Sequence, residues 1–248
     1  MIRWVFLDVG NVLLDEDPLT YFVFRHHVTA IQAVRPDRSF ADLLAEREAR
    51  TASGSRWPVF EVSARYLQES RLAEVWAEAD RSVRAAYAAL SPPIAGAAKA
   101  IAALRRRFHL GLIANQPREC RDHLATLGWL DTFDVIALSE EEDLFKPDPA
   151  LFRLALDRAG ASPSECLMVG DRLDHDLAPA SALGLATAHV LWPLRSAKGW
   201  QPDDPEARAY LASLERTAVL ARQQNESVRP TISIAMIGDL PVALSALG

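Results

Sequence analysis

The chain has very few cysteines, and they are far apart in the sequence. Only Cys120 and Cys166 occur among 248 residues. A disulfide framework or a zinc site needs a larger or more closely spaced set of thiols, so both are excluded. We therefore expect reduced thiols in a cytoplasmic protein.

The chain also lacks an excess of positive charge and a long hydrophobic run. Its 27 Lys and Arg residues are outnumbered by 33 Asp and Glu, which gives a net charge of −6. Binding to a nucleic-acid backbone needs a basic face, so no nucleic-acid partner is expected. The apolar N-terminal run is broken by Asp8 and is too short for a signal peptide or a membrane span. We therefore expect no membrane partner either.

Short apolar runs alternate with helical patterns along most of the chain. The runs end in small or acidic residues and occupy residues 4–7, 110–114, 135–138, 167–169, 186–191 and 232–237. Apolar runs of this length, separated by helices, are typical of buried parallel strands. The pattern predicts an α/β fold, a doubly wound, Rossmann-like parallel sheet with helices on both faces.

The interval 14–90 has a different pattern, because it contains no convincing strand. It is dense in Ala, Arg, Glu, Leu and aromatic residues at helical spacing, and Pro92 and Pro93 follow it. Consecutive prolines forbid a continuous helix, so they mark an exit hinge. We predict an inserted α-helical domain at 14–90 within a core made of 1–13 and 91–248. An amphipathic helix at 205–223 is expected to pack on that core.

Polar residues follow several of the apolar runs directly. Asp8 follows the first run, Asn115 the second, and Asp171 and Asp176 the fourth, while Lys146 precedes a proline. In a doubly wound sheet, ligands bind at the carboxyl ends of the strands. Taken singly, each residue has an ordinary interpretation as a turn residue, a helix cap or a solvated charge. Their order and spacing favour a shared site.

Four segments resemble, in sequence order, the motifs of the haloacid dehalogenase-like hydrolase superfamily. They are Asp8-Val9-Gly10-Asn11-Val12-Leu13, Ile113-Ala114-Asn115, Lys146-Pro147 and Gly170-Asp171-Arg172-Leu173-Asp174-His175-Asp176. The helical insertion after the first motif is similar to the cap of that superfamily. The resemblance covers the chain to about Val190. It implies a Mg²⁺-dependent phosphatase of a small phosphorylated metabolite, working as a monomer or a homodimer.

The resemblance also implies a role for each residue of the site. Asp8 is the expected nucleophile, since a carboxylate can attack phosphorus and form an aspartyl-phosphate. Asp8, the backbone carbonyl of Gly10, Asp171 and Asp176 are the expected ligands of Mg²⁺, which prefers oxygen. Lys146 is expected to neutralise charge on the nucleophile and on the transferring phosphoryl group, as a catalytic and substrate-binding residue.

Two positions depart from the pattern of the superfamily. Gly10 stands where its phosphatases normally have an aspartate that protonates the leaving group and then activates water, a role worth about 10²–10⁴ in rate. Ala114 stands where a Ser or Thr hydroxyl usually binds phosphate. In this substrate-binding segment, Asn115 and the following backbone N–H groups are left to bind the phosphate oxygens. From the sequence alone, Gly10→Asp is expected to raise the hydrolysis of alkyl phosphates.

Three interpretations remain open for the activity. The first is a working phosphatase in which another residue supplies the proton, the candidates being Asp15, Glu16, Asp17, His26 and His27. The second is a weak or inactive member that binds metal and phosphate as a regulatory protein. The third is a 2-haloacid dehalogenase, which needs no metal and typically lacks the equivalent of Asp171. The presence of Asp171 argues against it.

The identity of the substrate depends on the insertion, which closes over the site in proteins of this kind. A helical cap favours small phosphorylated metabolites over macromolecules. Four residues of the insertion are candidates to line the closed site, although each also has an ordinary structural or surface interpretation. They are Tyr21, Arg25, Trp57 and Arg65.

Overall fold

The computed structural model of the chain is built on one parallel β-sheet, and it describes residues 1–55, 57–224 and 228–246. The strands are β1 (Trp4–Leu7), β2 (His109–Ala114), β3 (Val135–Leu138), β4 (Cys166–Gly170), β5 (Ala186–Val190) and β6 (Ile232–Ile234). Across the sheet they follow the order β3-β2-β1-β4-β5-β6, and all neighbouring strands are parallel. The predicted doubly wound sheet is confirmed.

Helices account for most of the remaining regular structure. The α-helices in chain order are α1 (Asp17–Val34), α2 (Phe40–Ala52), α3 (Pro58–Ser63), α4 (Glu69–Ala85), α5 (Tyr87–Leu90), α6 (Ala97–Arg105), α7 (Glu119–Thr126), α8 (Ser139–Glu142), α9 (Pro149–Ala159), α10 (Ala178–Ala182), α11 (Pro205–Gln224) and α12 (Leu240–Ser245). Short 3-10 helices lie at Leu130–Thr132, Pro163–Glu165, Arg195–Lys198 and Ile237–Asp239, and a π-helical turn lies at Leu173–Leu177.

The central strand β1 is buried on both of its faces. Val5, Phe6 and Leu7 are all inaccessible to solvent. Successive side chains of a strand point to opposite faces, so helices must cover the sheet on both sides. Leu7 accordingly belongs to one apolar layer and Phe6 to the other. This explains why the strands are continuous apolar runs in the sequence.

Local sequence signals define several of the helix ends. Helix α2 begins with a capping box, in which the side chains and backbone N–H groups of Ser39 and Asp42 bind one another. Helix α9 has Asp148 as its N-cap and Pro149 as its first residue. It ends at Gly160, whose φ of 58° is left-handed and favours glycine.

The insertion is helical and is entered and left through paired segments. In the described residues of 14–90, the helices and strands of the structure are all helices. Leu14 and Pro93 form an antiparallel bridge. The backbone N–H of Asp15 donates to the carbonyl of Pro92 at 2.8 Å. The two chain crossings between sheet and insertion therefore lie side by side.

Helix α11 forms where it was predicted, but it packs against the insertion instead of the core. Tyr210 and Leu214 belong to the same apolar cluster as Phe24 and Val28 of α1 and Leu43 of α2. An amphipathic helix packs wherever a matching apolar face is available, and here α1 and α2 present that face. A segment that follows the fifth strand thus completes the apolar interior of the helical insertion.

Candidate active site

The carboxyl ends of β1, β2 and β4 bring the predicted site residues to one edge of the sheet. Leu7 of β1 is in register with Leu112 of β2 and with Val169 of β4. Residues that follow neighbouring parallel strands meet at the same edge. Asp8 continues β1 at this edge, and its backbone N–H donates to the Val169 carbonyl at 2.9 Å. Asp8 therefore lies between the segments that follow β2 and β4.

Three of the predicted metal ligands converge on one point. Asp8, Asp171 and Asp176 each present a carboxylate oxygen, and these atoms lie within 4.8 Å of one another. The backbone N–H of Arg172 donates to Asp176 Oδ2 at 3.0 Å and holds the third carboxylate in place. A Cβ atom on Gly170 would lie 2.4 Å from the Asp176 side chain. Only glycine at position 170 lets Asp176 approach the strand this closely.

Lys146 lies inside this carboxylate cluster. Its Nζ is 2.9 Å from Asp8 Oδ1 and 2.5 Å from Asp176 Oδ1, and it donates to the Ile113 carbonyl at 3.0 Å. Lys146 is only 4% exposed. Burial alone would lower the pKa of Lys146, but the carboxylates of Asp176 and Asp8 outweigh burial and raise it. The ammonium group is therefore charged at every physiological pH.

The cluster has more negative than positive charge. Burial, followed by the charge of Asp176, raises the pKa of Asp171 to about 6. Burial also raises the pKa of Asp8, an effect that Lys146 opposes and that Asp176 and Asp171 reinforce. The enclosed Oδ1 atom of Asp171 has no hydrogen-bond partner. A hard divalent cation prefers carboxylate oxygens and relieves such repulsion, so these residues fit Mg²⁺.

The two residues that end the second motif, Ala114 and Asn115, have different surroundings. The Asn115 side chain makes two hydrogen bonds to the backbone of Lys146, since Nδ2 donates to its carbonyl at 2.9 Å and Oδ1 accepts from its N–H at 2.8 Å. Asn115 thus positions the lysine, a role that we did not predict, and keeps one Nδ2 proton for a ligand. Ala114 is fully buried, and its methyl group offers no hydrogen bond.

The space next to Gly10 is filled by the side chain of Glu16. A Cβ atom on Gly10 would lie 2.5 Å from Glu16 Cδ, 2.5 Å from Oε2 and 2.6 Å from Oε1. The carboxyl carbon of an aspartate is one bond, about 1.5 Å, from its Cβ. The Glu16 carboxylate therefore lies in the space where a side chain at position 10 would begin, within the reach of an aspartate carboxylate at that position.

Glu16 is held by Gln116 and Tyr87, two residues that the sequence analysis missed. Gln116 Nε2 donates to Glu16 Oε1 at 2.6 Å, and the Tyr87 hydroxyl donates to Gln116 Oε1 at 2.7 Å. Burial raises the pKa of the Glu16 carboxyl, the hydrogen bond from Gln116 opposes this, and Asp171 reinforces it. The position of Gln116, two residues after β2, is the one signal in the sequence that could have identified it.

The other two acidic candidates, Asp15 and Asp17, are engaged in an ion cluster. The Nζ atom of Lys198, a fully buried residue, lies 2.8 Å from Asp15 Oδ1 and 2.6 Å from Asp17 Oδ2. The same atom donates to Asn11 Oδ1 at 2.7 Å. This cluster ties the segment after β5 to the segment after β1. Lys198 has no neighbouring motif in the sequence, so its role could not be predicted.

The histidine candidates, His26 and His27, belong to the packing of the insertion. His27 Nδ1 lies 2.8 Å from Ser63 Oγ, and its ring meets Trp76 edge-on with 5.6 Å between the ring centroids. The His26 ring packs beside Phe22, 5.1 Å between centroids. Of the five candidates for the missing acid, Glu16 is thus the one that reaches the space at Gly10.

We expect His27 to make the protein less stable in mild acid. Burial lowers the pKa of His27 to about 4, whereas an unfolded histidine titrates near pH 6.5. Between these values the unfolded chain binds one more proton, so the free energy of unfolding falls as the pH drops through this window. At pH 5, protonation of this histidine in the unfolded chain lowers the free energy of unfolding by about 2 kcal/mol.

The test of this expectation is urea denaturation of wild type and His27→Gln at pH 8 and pH 5. The variant has no group titrating at this position. Between pH 8 and pH 5, its free energy of unfolding should therefore fall by about 2 kcal/mol less than that of wild type. His26→Gln, one residue earlier, is the control and should lose as much as wild type. Identical losses in wild type and His27→Gln would show that His27 does not titrate as a buried group.

A cavity of about 530 Å³ opens between the insertion and the segment after β4. Helices α1, α3 and α4 form most of its wall, and Arg172, which directly follows Asp171, lines it from the core side. Trp57, one of the four residues proposed to line a closed site, is part of this wall. The other three bind elsewhere, Tyr21 to Asp204, Arg25 to Glu206 and Arg65 to Glu46.

The chain belongs to the haloacid dehalogenase-like hydrolase family, whose profile matches residues 2–184. The matched interval contains the four motifs and the inserted helices. Membership of the family, predicted from those motifs, is confirmed.

Phosphatases are among the curated relatives of the chain. It is 39% identical over 106 residues to phosphoserine phosphatase of Thermus thermophilus. The aligned residues make up 42% of this chain and 40% of that protein. The chain is 33% identical over 100 residues to pyrophosphatase PpaX of Bacillus velezensis, 40% of this chain and 46% of that protein. It is 28% identical over 198 residues to pyrimidine 5'-nucleotidase YjjG of Escherichia coli, 74% of this chain and 84% of that protein. The chain thus spans less than half the length of the first two relatives.

Solved structures of the family share the fold along nearly the whole chain. An HAD phosphatase from Thermococcus onnurineus superimposes with a TM-score of 0.58 at 20% identity, covering 98% of both chains. The L-2-haloacid dehalogenase from Xanthobacter autotrophicus superimposes with a TM-score of 0.62 at 20% identity, covering all of both chains. At this identity the likeness concerns the fold. In the described residues, no helix has the length and apolar character needed to cross a membrane.

Proposed function

We propose that the protein is a magnesium-dependent phosphatase of a small phosphorylated metabolite, acting through an aspartyl-phosphate on Asp8. The observation that carries this proposal is the meeting of Asp8 with Lys146 inside a cluster of buried carboxylates. The phosphatases among the curated relatives support the same class of reaction. A screen of phosphorylated metabolites with and without Mg²⁺, measuring released phosphate, tests the proposal. Absence of turnover on every ester would favour a binding protein.

Asp8 would act as the nucleophile. Its carboxylate attacks the phosphorus of a monoester, the bond from phosphorus to the alcohol oxygen breaks, and the alcohol leaves with a proton. Water then hydrolyses the acyl phosphate, which releases phosphate and regenerates the carboxylate. Lys146, 2.9 Å from Asp8, orients that carboxylate and offsets the charge of the phosphoryl group.

The carboxylates of Asp8, Asp171 and Asp176, together with the carbonyl of Gly10, would hold Mg²⁺. The support for this is the convergence of the three carboxylates and the unpartnered oxygen of Asp171. When bound, the ion supplies charge neutralisation that lets a phosphate dianion approach an anionic nucleophile. Asn115 would contribute by positioning Lys146 and by offering its remaining N–H to a phosphate oxygen.

We further infer that Glu16 performs the proton transfers that an aspartate at position 10 performs elsewhere in the family. The support is geometric, because the Glu16 carboxylate fills the volume next to Gly10. Gln116 and Tyr87 hold it in that place, as a group with a catalytic task requires. In the first step Glu16 would give its proton to the departing alcohol oxygen. It would then accept a proton from the water that attacks the acyl phosphate.

The two alternatives to a phosphatase are less well supported by the geometry. The weak or inactive binding protein was suggested by the missing acid at Gly10, and Glu16 provides a carboxylate in that space. The 2-haloacid dehalogenase needs no metal, whereas Asp171 and Asp176 add two carboxylates around Asp8. Three carboxylates are not balanced by the one positive charge of Lys146, so the cluster favours a metal-dependent reaction.

Removal of metal should abolish turnover, and added Mg²⁺ should restore it. We expect Asp171→Asn to raise the Mg²⁺ concentration for half-maximal activity by at least about 10–100-fold, since it removes an anionic ligand. Asp157→Asn is the control, because Asp157 is an exposed residue of α9 that does not belong to the cluster. Full activity in excess chelator would instead favour a dehalogenase, and chloride release from 2-chloropropionate would be its direct assay.

A further inference from the structure

Arg47 is a charged residue that is buried in the insertion, where it forms no ion pair with the residues that the structure describes. It is only 7% exposed, and it lines the cavity of about 530 Å³ that opens beside Arg172. Its Nε and Nη1 atoms have no hydrogen-bond partner. A guanidinium group remains charged at every ordinary pH, and burying it unpaired is unfavourable. The cavity wall thus contains hydrogen-bond donors that lack an acceptor.

The surroundings of Arg47 orient the guanidinium group without satisfying it. The group lies over the ring of Tyr210, 4.8 Å from the centroid. Stacking on an aromatic face leaves the N–H groups at the edge of the guanidinium unpaired. Two acidic residues, one next to Arg47 in the chain and one in the cavity wall, already have partners. Glu48 pairs with Arg216 at 2.5 Å, and Asp80 pairs with an arginine of its own helix at 2.8 Å.

The rest of the wall is largely apolar and aromatic. Leu19 and Val23 of α1 line the cavity, together with Trp57, Phe60 and Trp76. These three aromatic residues are 64%, 46% and 42% exposed. Large apolar side chains that remain open to solvent around one cavity are typical of a ligand site, in which a few polar groups fix the orientation of an apolar ligand.

One residue of the cavity wall is next in sequence to a residue of the carboxylate cluster. Arg172 lines the cavity and directly follows Asp171, one of the three clustered carboxylates. We take the alcohol part of a ligand bound at Asp8 to pass Arg172 and to enter this cavity. The volume of about 530 Å³ is in the range of small-molecule sites.

We propose that this cavity binds the alcohol part of the substrate, an apolar, aromatic or aliphatic body with one carboxylate at its far end, and that Arg47 binds this carboxylate. The inference rests on the proposed phosphatase function and names its substrate class. A carboxylate fits because the planar guanidinium fork matches its two oxygens and because one positive charge balances one negative charge. A second phosphate group, as a dianion, would have one more negative charge than the guanidinium group of Arg47 can balance.

The direct test measures binding without turnover. Trp57 and Trp76 line the cavity, so intrinsic tryptophan fluorescence should report its occupation. The probes are the non-hydrolysable benzylphosphonate, 4-carboxybenzylphosphonate and xylylene-bisphosphonate, titrated in the presence of Mg²⁺. We expect wild type to bind the carboxylate probe about 10–100-fold more tightly than benzylphosphonate. Arg47→Met should abolish this preference. Arg50→Met, which changes a half-exposed arginine of the same helix, should retain it.

The outcomes separate this inference from the proposed function. The second measurement is phosphate release from phenyl phosphate and 4-carboxyphenyl phosphate, in which kcat/KM should favour the second ester by a similar factor. If wild type turns over no phosphate ester in the screen or in this pair, but Arg47→Met still loses the probe preference, the phosphatase is overturned and the carboxylate site is supported. Equal affinities of wild type for the first two probes, or tighter binding of the bisphosphonate, would overturn the carboxylate site. If Arg47→Met does not fold, Arg47→Lys and the wild-type comparison still decide the question.

Discussion

Asp8→Asn should reduce turnover of every phosphate ester by about 10⁴-fold or more. The amide has nearly the shape of the carboxylate but cannot attack phosphorus, so no aspartyl-phosphate forms. The measurements are phosphate release and, in wild type, mass spectrometry of acid-quenched protein to detect the phosphoryl group on Asp8. Asp131→Asn is the control. Asp131 is exposed and far from Asp8 in the sequence, so this variant should keep wild-type activity.

The stability of the same variant provides an independent check. The pKa of Asp8 is raised by burial, so the charged carboxylate is disfavoured in the metal-free folded protein. Removing that charge should therefore leave the metal-free melting temperature unchanged or higher. A variant that melts much earlier would be inactive for lack of folding. A folded Asp8→Asn protein with normal turnover would contradict the mechanism outright.

Glu16→Gln should separate two kinds of substrate. An alkyl phosphate expels a strongly basic alkoxide and needs an acid, so its hydrolysis should fall by about 10²–10⁴. An aryl phosphate with a good leaving group departs without protonation, so formation of the aspartyl-phosphate should change little. The slowed second step should then give a burst of the phenol. Glu69→Gln, an exposed glutamate at the start of α4, is the matched control.

The structure also changes what is expected of Gly10→Asp. The new Cβ would lie 2.5 Å from the carboxyl group of Glu16, so the two side chains cannot share the space. The single variant should therefore gain no alkyl phosphatase activity over wild type. The double variant Gly10→Asp/Glu16→Ala has room for the new carboxylate and should recover most of what Glu16→Gln loses. A gain in Gly10→Asp alone, with no effect of Glu16→Gln, would show that Glu16 is not the acid.

The parts of the fold and the site that follow from local pattern were predictable from the sequence. Apolar runs define the strands, and the polar residues just after them, Asp8, Asn115 and Asp171, must lie at one edge of a parallel sheet. Their convergence depends only on strand order and register. The helices of 14–90 were equally predictable, because the residues of this interval have helical spacing and two prolines follow it.

The rest depends on contacts between residues far apart in sequence. Glu16 was one of several candidates for the acid, and only the packing of its side chain against Gly10 distinguishes it. Lys198 is 187 residues from Asn11, to which it donates a hydrogen bond, and no local signal links them. Asn115 was expected to bind phosphate, but an amide offers several hydrogen bonds, and its partners are decided by the tertiary structure.

The packing of α11 on the inserted helices determines which piece of this protein could be exchanged for that of a relative. A transplant of residues 14–90 alone would leave Tyr210 and Leu214 facing a foreign surface, and the donated helices would lack the side chains that complete their interior. The exchangeable unit is therefore discontinuous, consisting of 14–90 and 205–224. Chimeras in which only residues 14–90 are exchanged should aggregate. Chimeras in which residues 205–224 are exchanged together with them should not.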